Sequence, residues 1–136
     1  MFFCGRPLRW QPLHTFALAL TVAGATLVPQ GLLARDAAAT PETVALTALP
    51  AQAQQTQRLI LAGGPFPYAK DGSPFGNRER ALAARPRGFY REYTVPTPGA
   101  PGRGARRIVC GGLQANQPEA CFYTADHYAS FRRIVP

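Results

Sequence analysis

Residues 88–95 read GFYREYTV. Phe89, Arg91, Tyr93 and Val95 alternate with Tyr90, Glu92 and Thr94, the period of two that sends successive side chains to opposite faces of a sheet. Aromatic and β-branched residues fill most of these places, as a half-buried strand prefers. Downstream, PTPGAPGRG is a Pro/Gly turn region, and ARRIVCGG (105–112) reads as a second strand. ACFYTAD (120–126) makes a third, and YASFRRIV (128–135) a fourth after a corner at Asp126 and His127. Upstream, TALPAQAQQTQRLILAGGPFPY (47–68) is the one convincing helix. Pro50 suits a first turn, Ala and Gln favour the helical state, Leu59 and Ile60 offer apolar contact, and Gly63-Gly64-Pro65 stops it. Between helix and first strand, Pro65, Pro67, Asp71-Gly72 and Pro74 mark a long ordered loop. One helix followed by sequential strands predicts an α+β domain, a main N-terminal helix packed on a small antiparallel β-sheet.

The chain has 136 residues, room for one small domain. Its first part has the layout of a secretory signal: Arg6 and Arg9, then an uncharged apolar run over residues 15–28, then small residues. A run of 14 residues is short of the roughly 18 needed to span a bilayer as a helix, and no second run follows. An Ala-x-Ala site at Ala37 to Ala39 places cleavage before Thr40, with release after Ala34 as the alternative. The expected division is therefore a signal peptide over 1–39 and a mature domain over 40–136, exported to a periplasm or out of the cell and free of the membrane once the signal is removed.

Cys110 and Cys121 are the two cysteines left after Cys4 is discarded with the signal. An exported chain meets an oxidising compartment, and strands two and three would be neighbours, so a disulfide between them fits and would fix the pairing register. Such a bond is worth roughly 3 kcal/mol through the unfolded chain. Two buried free thiols are the alternative.

Residues 40–136 carry 12 Lys and Arg, 11 of them Arg, against 6 Asp and Glu. That balance favours a polyanionic partner such as nucleic acid or an acidic surface, although it says nothing of fold. There is no phosphate-cradling glycine loop, since GRGARR follows a turn instead of opening a helix. A single mature histidine and six scattered acids make no metal-ligand cluster. No cofactor and no metal are expected. What remains is His127, a strand carboxylate at Glu92, and arginines at 103, 106 and 107. A base, an acid and fixed guanidinium groups suit cleavage of a phosphodiester beside a 2′-hydroxyl, because RNA supplies its own nucleophile. Each residue also has a plainer use: a lone His is more often structural, Glu92 fits a solvated strand charge, and paired arginines usually sit on a surface.

The blocks TVALTALP, GPFPYAKDG, FGNRE, EYTVPTPGA, RGARRIVCG and YTADHYASF, in that order from Thr43 to Ile134, closely resemble the barnase-like secreted microbial ribonucleases that cleave after guanine, and their ribonuclease Sa branch in particular. The resemblance implies roles. Glu92 in EYTV matches the family's general base and His127 in DHYA its general acid. Arg103 and Arg107 in RGARR match the arginines on the scissile phosphate, and Tyr128 the tyrosine whose hydroxyl reaches the same group. In FGNRE, the backbone from Phe75 through Gly76 and Asn77 to Arg78 is expected to bind the guanine edge. The Glu79 carboxylate would accept from its N1 and exocyclic amine. Adenine would leave Glu79 unpaired, at a cost of about 1–3 kcal/mol.

There are departures from that branch. Gly76 stands where relatives carry a larger polar residue. Ala45 replaces a cysteine of their terminus-spanning disulfide, whose partner has no counterpart by Pro136, and Cys121 is added opposite Cys110. The covalent clamp is thus expected to have moved from the chain ends to the sheet. The functional expectation is a monomeric, metal-independent hydrolase, a guanyl-preferring endoribonuclease acting on single-stranded RNA through a 2′,3′-cyclic phosphate. The family also implies a barstar-like acidic protein inhibitor. The alternative is a non-catalytic basic RNA-binding or toxin-like module on the same fold. A structural envelope protein is a third class, and it gives no reason for Glu79, Glu92 and His127 to coincide with the family's motifs.

Overall fold

The computed structural model describes residues 40–136. The signal peptide expected over 1–39, with its cleavage site, lies outside the described residues. Six strands and one α-helix follow in the order β1 (Glu42–Ala45), α1 (Ala51–Ala62), β2 (Ser73–Pro74), β3 (Tyr90–Thr94), β4 (Arg107–Gly111), β5 (Ala120–Thr124) and β6 (Arg132–Val135), with a short 3-10 helix at Leu46–Ala48. They form one sheet of order β1-β6-β5-β4-β3-β2. Only the β1–β6 pair is parallel; the other pairs are antiparallel. Among the described residues no helix is long and apolar enough to cross a membrane.

The helix begins after Pro50, which stands at the cap and not inside the first turn, its carbonyl accepting from the amides of Ala53 at 2.9 Å and Gln54 at 3.1 Å. Ala53, Thr56, Gln57 and Ile60 are buried, the spacing of one helical face. Gly63 takes φ +80°, where a side chain would be strained, and the amides of Gly63 and Gly64 close the last turn onto Ile60 and Leu59.

The alternation in GFYREYTV divides the core. Tyr93, Ile108, Cys110, Cys121 and Tyr123 join Leu49, Ala53 and Ile60 in one buried cluster between sheet and helix. On the opposite face, Tyr90, Val109 and Phe122 pack with Leu82 and Phe131. Phe89 is a correction: the strand starts at Tyr90, and the ring before it folds onto the Tyr90 face, 5.1 Å from the Tyr90 ring. The fourth strand is also shorter than expected. It starts at Arg132, because residues 126–130 form a turn in which His127 and Tyr128 have φ of +56° and +73°.

Cys110 and Cys121 are bonded. They are direct partners across β4 and β5, with Cα atoms 4.1 Å apart on the helix side, so the bond ties the middle of the sheet in register.

Candidate active site

The second face of the sheet carries the residues expected to do the chemistry. Register places Thr94, Arg107 and Thr124 in one row across β3, β4 and β5, with Glu92, Val109 and Phe122 in the next. Arg107 is thus central and buried, at 3% exposure. Among the described residues no carboxylate forms an ion pair with it. One terminal nitrogen, Nη1, donates to the carbonyls of Arg106 at 2.7 Å, Gly104 at 2.9 Å and Arg103 at 3.3 Å. Its Nε is buried and unpartnered. The RGARR turn therefore wraps its own last arginine and fixes a positive charge beneath the cleft.

Arg103 stands above it, half-buried. Its Nε donates to Thr94 Oγ1 at 2.9 Å and its Nη2 to Glu92 Oε1 at 3.4 Å. Asp71 lies 4.0 Å from the same guanidinium and accepts from the Thr94 amide at 2.7 Å. Glu92 Oε2 accepts from the Tyr128 hydroxyl at 2.6 Å. The carboxylate is held from two sides, by a guanidinium and by a phenol. Burial first, and then the bond to Glu92, pushes the Tyr128 phenol up to about 12, with Arg107 nearby acting in the opposite sense. Tyr128 is accordingly a donor at any working pH.

The turn that presents His127 and Tyr128 is built by Asp126 and Thr124. Asp126 accepts from the Ser130 hydroxyl at 2.5 Å and the Ser130 amide at 2.9 Å, and from the Thr124 hydroxyl at 2.8 Å. These bonds, Ser130's first, lower its carboxyl to about 2. Thr124 Oγ1 accepts from the Tyr128 amide at 3.1 Å, and the His127 amide donates to Ala105 O at 3.1 Å. Hence the turn is tied to β5 and to the segment that leads into β4, and the exposed imidazole projects at the rim.

A cleft of about 1050 Å³ joins these groups to the FGNRE loop; Glu92, His127 and Tyr128 line it together with Phe75, Gly76, Asn77, Arg78 and Glu79. The Phe75 ring lies 5.0 Å from Tyr128 and 5.9 Å from Phe131, an aromatic floor. Asn77 takes φ +46° and clamps the loop: its side chain accepts from the Leu82 amide at 3.1 Å and donates to Leu82 O at 2.8 Å. The Phe75 amide donates to Tyr90 O at 2.9 Å and so belongs to the sheet. A Cβ on Gly76 would meet only the Arg78 side chain, at 3.6 Å, so packing does not demand glycine there.

Residues 34–135 match a family described as ribonuclease. Guanyl-specific ribonuclease Sa of Kitasatospora aureofaciens is 52% identical over 92 residues, which cover 68% of this chain and 92% of that one. The chain belongs to the microbial guanyl-specific ribonuclease family. Ribonuclease Sa3 of the same organism is 57% identical over 91 residues, and there the match spans 67% of this chain but only 62% of the relative's length. Among solved structures, ribonuclease Sa2 with guanosine-2′-cyclophosphate is 44% identical with a TM-score of 0.64, covering 71% of this chain and 98% of that one.

The structure brings into one cleft every residue expected there except Arg103 and Arg107, which contact Glu92 and Tyr128, respectively. Sequence reasoning missed Asp71, Thr94, Thr124 and Asp126, which hold Arg103 and the His127 turn. Asp71 reads in the sequence as half of an Asp-Gly turn. Only the fold shows its carboxylate, 1% exposed, reaching back to β3.

Proposed function

We propose that this protein is an exported, guanyl-preferring endoribonuclease working by transphosphorylation. Glu92 removes the proton from the 2′-hydroxyl of guanosine, and the oxygen attacks the adjacent phosphorus. His127, protonated, gives its proton to the departing 5′-oxygen. A 2′,3′-cyclic phosphate and a free 5′-hydroxyl result, and water then opens the ring with the two roles reversed. The guanidinium groups of Arg103 and Arg107 and the Tyr128 hydroxyl stabilise the charge growing on the phosphoryl oxygens.

The observation that carries this reading is the shared cleft. A strand carboxylate, already bonded to a phenol and a guanidinium, and the histidine of the mature chain border the same space. An incoming phosphate would take over the donors now on Glu92 and leave the carboxylate free to act as a base. Guanine recognition falls to the FGNRE loop. With the Phe75 amide engaged in the sheet, the backbone of residues 76–78 meets the base oxygen and Glu79 its N1 and amine. Only guanine offers an acceptor beside two donors in that arrangement, so adenine is disfavoured by about 1–3 kcal/mol. Residues 1–39 serve export, and a monomer with a barstar-like inhibitor as partner completes the proposal.

Replacing Glu92 or His127 by alanine tests it. Each variant should keep its affinity for RNA and lose roughly 10²- to 10⁴-fold in kcat/KM, and the bell-shaped pH profile should lose one limb in each. Undiminished cleavage by either variant contradicts the assignment.

A further inference from the structure

A second depression, of about 310 Å³, opens on the cleft face of the sheet, beyond the guanine loop. Tyr90, Gly111, Ala120 and Phe122 form its floor, and their register puts them on the face that carries Glu92. Arg133 pairs with Phe122 on that same face and lines one wall, while Glu119 lines another. Arg85 and Tyr90 border both the main cleft and this depression.

Arg85 is placed with care for an exposed arginine. Its guanidinium carbon lies 5.0 Å from the centroid of the Phe89 ring. The ring stands edge-on to Tyr90 and rests on Gly111, where a Cβ would come within 2.5 Å of Phe89 Cε1. With no Cβ, Gly111 leaves room for the ring, and the ring stacks with the guanidinium. Among the described residues no carboxylate forms an ion pair with Arg85. Stacking on Phe89 and a hydrogen bond to the Tyr90 hydroxyl restrain a flexible side chain before any ligand arrives, so little freedom remains to be lost when an anion binds.

The register also gives a direction. Along β3 the rows run from Thr94 with Arg107, through Glu92 with Val109, to Tyr90 with Gly111. His127, bonded through its amide to Ala105 O, belongs to the Thr94 end. Arg85 and Phe89 belong to the Tyr90 end, roughly 13 Å away at strand spacing. In the reaction described above, the nucleotide on the 3′ side leaves from the His127 end. The strand on the 5′ side of the guanosine then departs from the opposite end, over Arg85.

Resting on that reading of the reaction, we propose that Arg85, with Arg133 across the second depression, binds the phosphate on the 5′ side of the guanosine, so that upstream RNA runs across the stacked guanidinium into the depression. These are positioning residues, remote from the reacting atoms.

The test compares kcat/KM on three substrates at low salt: GpU, 5′-phosphorylated GpU and UpGpU. For the unaltered protein the upstream phosphate should raise kcat/KM roughly three- to fivefold over GpU, and the gain should fade as salt is added. Arg85→Ala should bring the ratio to about one, and Arg85→Glu below one. A folding defect lowers all three substrates together and cancels in the ratio. A ratio of one in the unaltered protein, or an unchanged gain in Arg85→Ala, overturns the subsite. If GpU itself is not cleaved, the reaction assignment fails instead, so the two failures are distinguishable.

Discussion

Tyr128 shows how one residue links fold and chemistry. Its amide is fixed by Thr124, its ring by Phe75, and its hydroxyl by Glu92. Tyr128→Phe removes a donor from a charged group and should lower kcat/KM by about tenfold. Because the phenol stays protonated up to about 12, its own ionisation should add no limb to the parent's pH profile below about pH 10; steady-state kinetics across pH checks both points. Asp126 acts on stability instead. Its carboxyl is lowered to about 2 in the folded chain from an ordinary 3.8, so its contribution is complete above that ordinary value and is lost as pH falls through about 2. Asp126→Asn should be less stable than the parent at neutral pH and less sensitive to acid between those limits. Urea midpoints at several pH values measure the difference. The role of Asp126 is not visible in YTADHYASF as a string, since the positive φ of His127 and Tyr128 and the Ser130 bonds belong to the turn's geometry.

Among the elements, α1, β3, β4 and β5 were legible because each carries its own periodicity or stop signal. β1 and β2 were not. β1 has two exposed and two half-buried residues and pairs in parallel with a strand at the other end of the domain, and β2 is two residues added to the edge of β3. Such strands are specified by their neighbours and leave no local pattern. The central β4–β5 pair was readable enough for its disulfide to be expected from layout, and the bond lies between direct cross-strand partners. Replacing both Cys110 and Cys121 by alanine should cost roughly 3 kcal/mol of stability while cleavage of RNA persists below the new unfolding midpoint, because the bond is on the helix face and the cleft on the other. Denaturant titration alongside activity separates these effects. Loss of activity in fully folded double variant would place the disulfide in the machinery of the site.

Across the whole molecule, the alternation of one strand assigns the two faces of the sheet to different work. The helix face holds Tyr93, Ile108 and the disulfide; the other holds a carboxylate, buried and half-buried arginines, and an exposed imidazole around the main cleft. The residues proposed as acid, base and phosphate ligands could be singled out through their short motifs. Their anchors were not, because Asp71 and Thr94 acquire their partners only when the 65–74 loop is laid along β3. The excess of arginine in residues 40–136 surrounds this face through Arg78, Arg85, Arg87 and Arg103, and it suits a polyanionic strand drawn in at low salt. The most direct test maps the ends produced from a defined single-stranded RNA containing all four bases, with a chelator present. Cuts on the 3′ side of guanosine, leaving a guanosine 2′,3′-cyclic phosphate and a 5′-hydroxyl, are the expected result. Cuts without regard to base, 5′-phosphate ends, or activity abolished by the chelator would contradict the pairing of Glu92 with His127 over a guanosine phosphate.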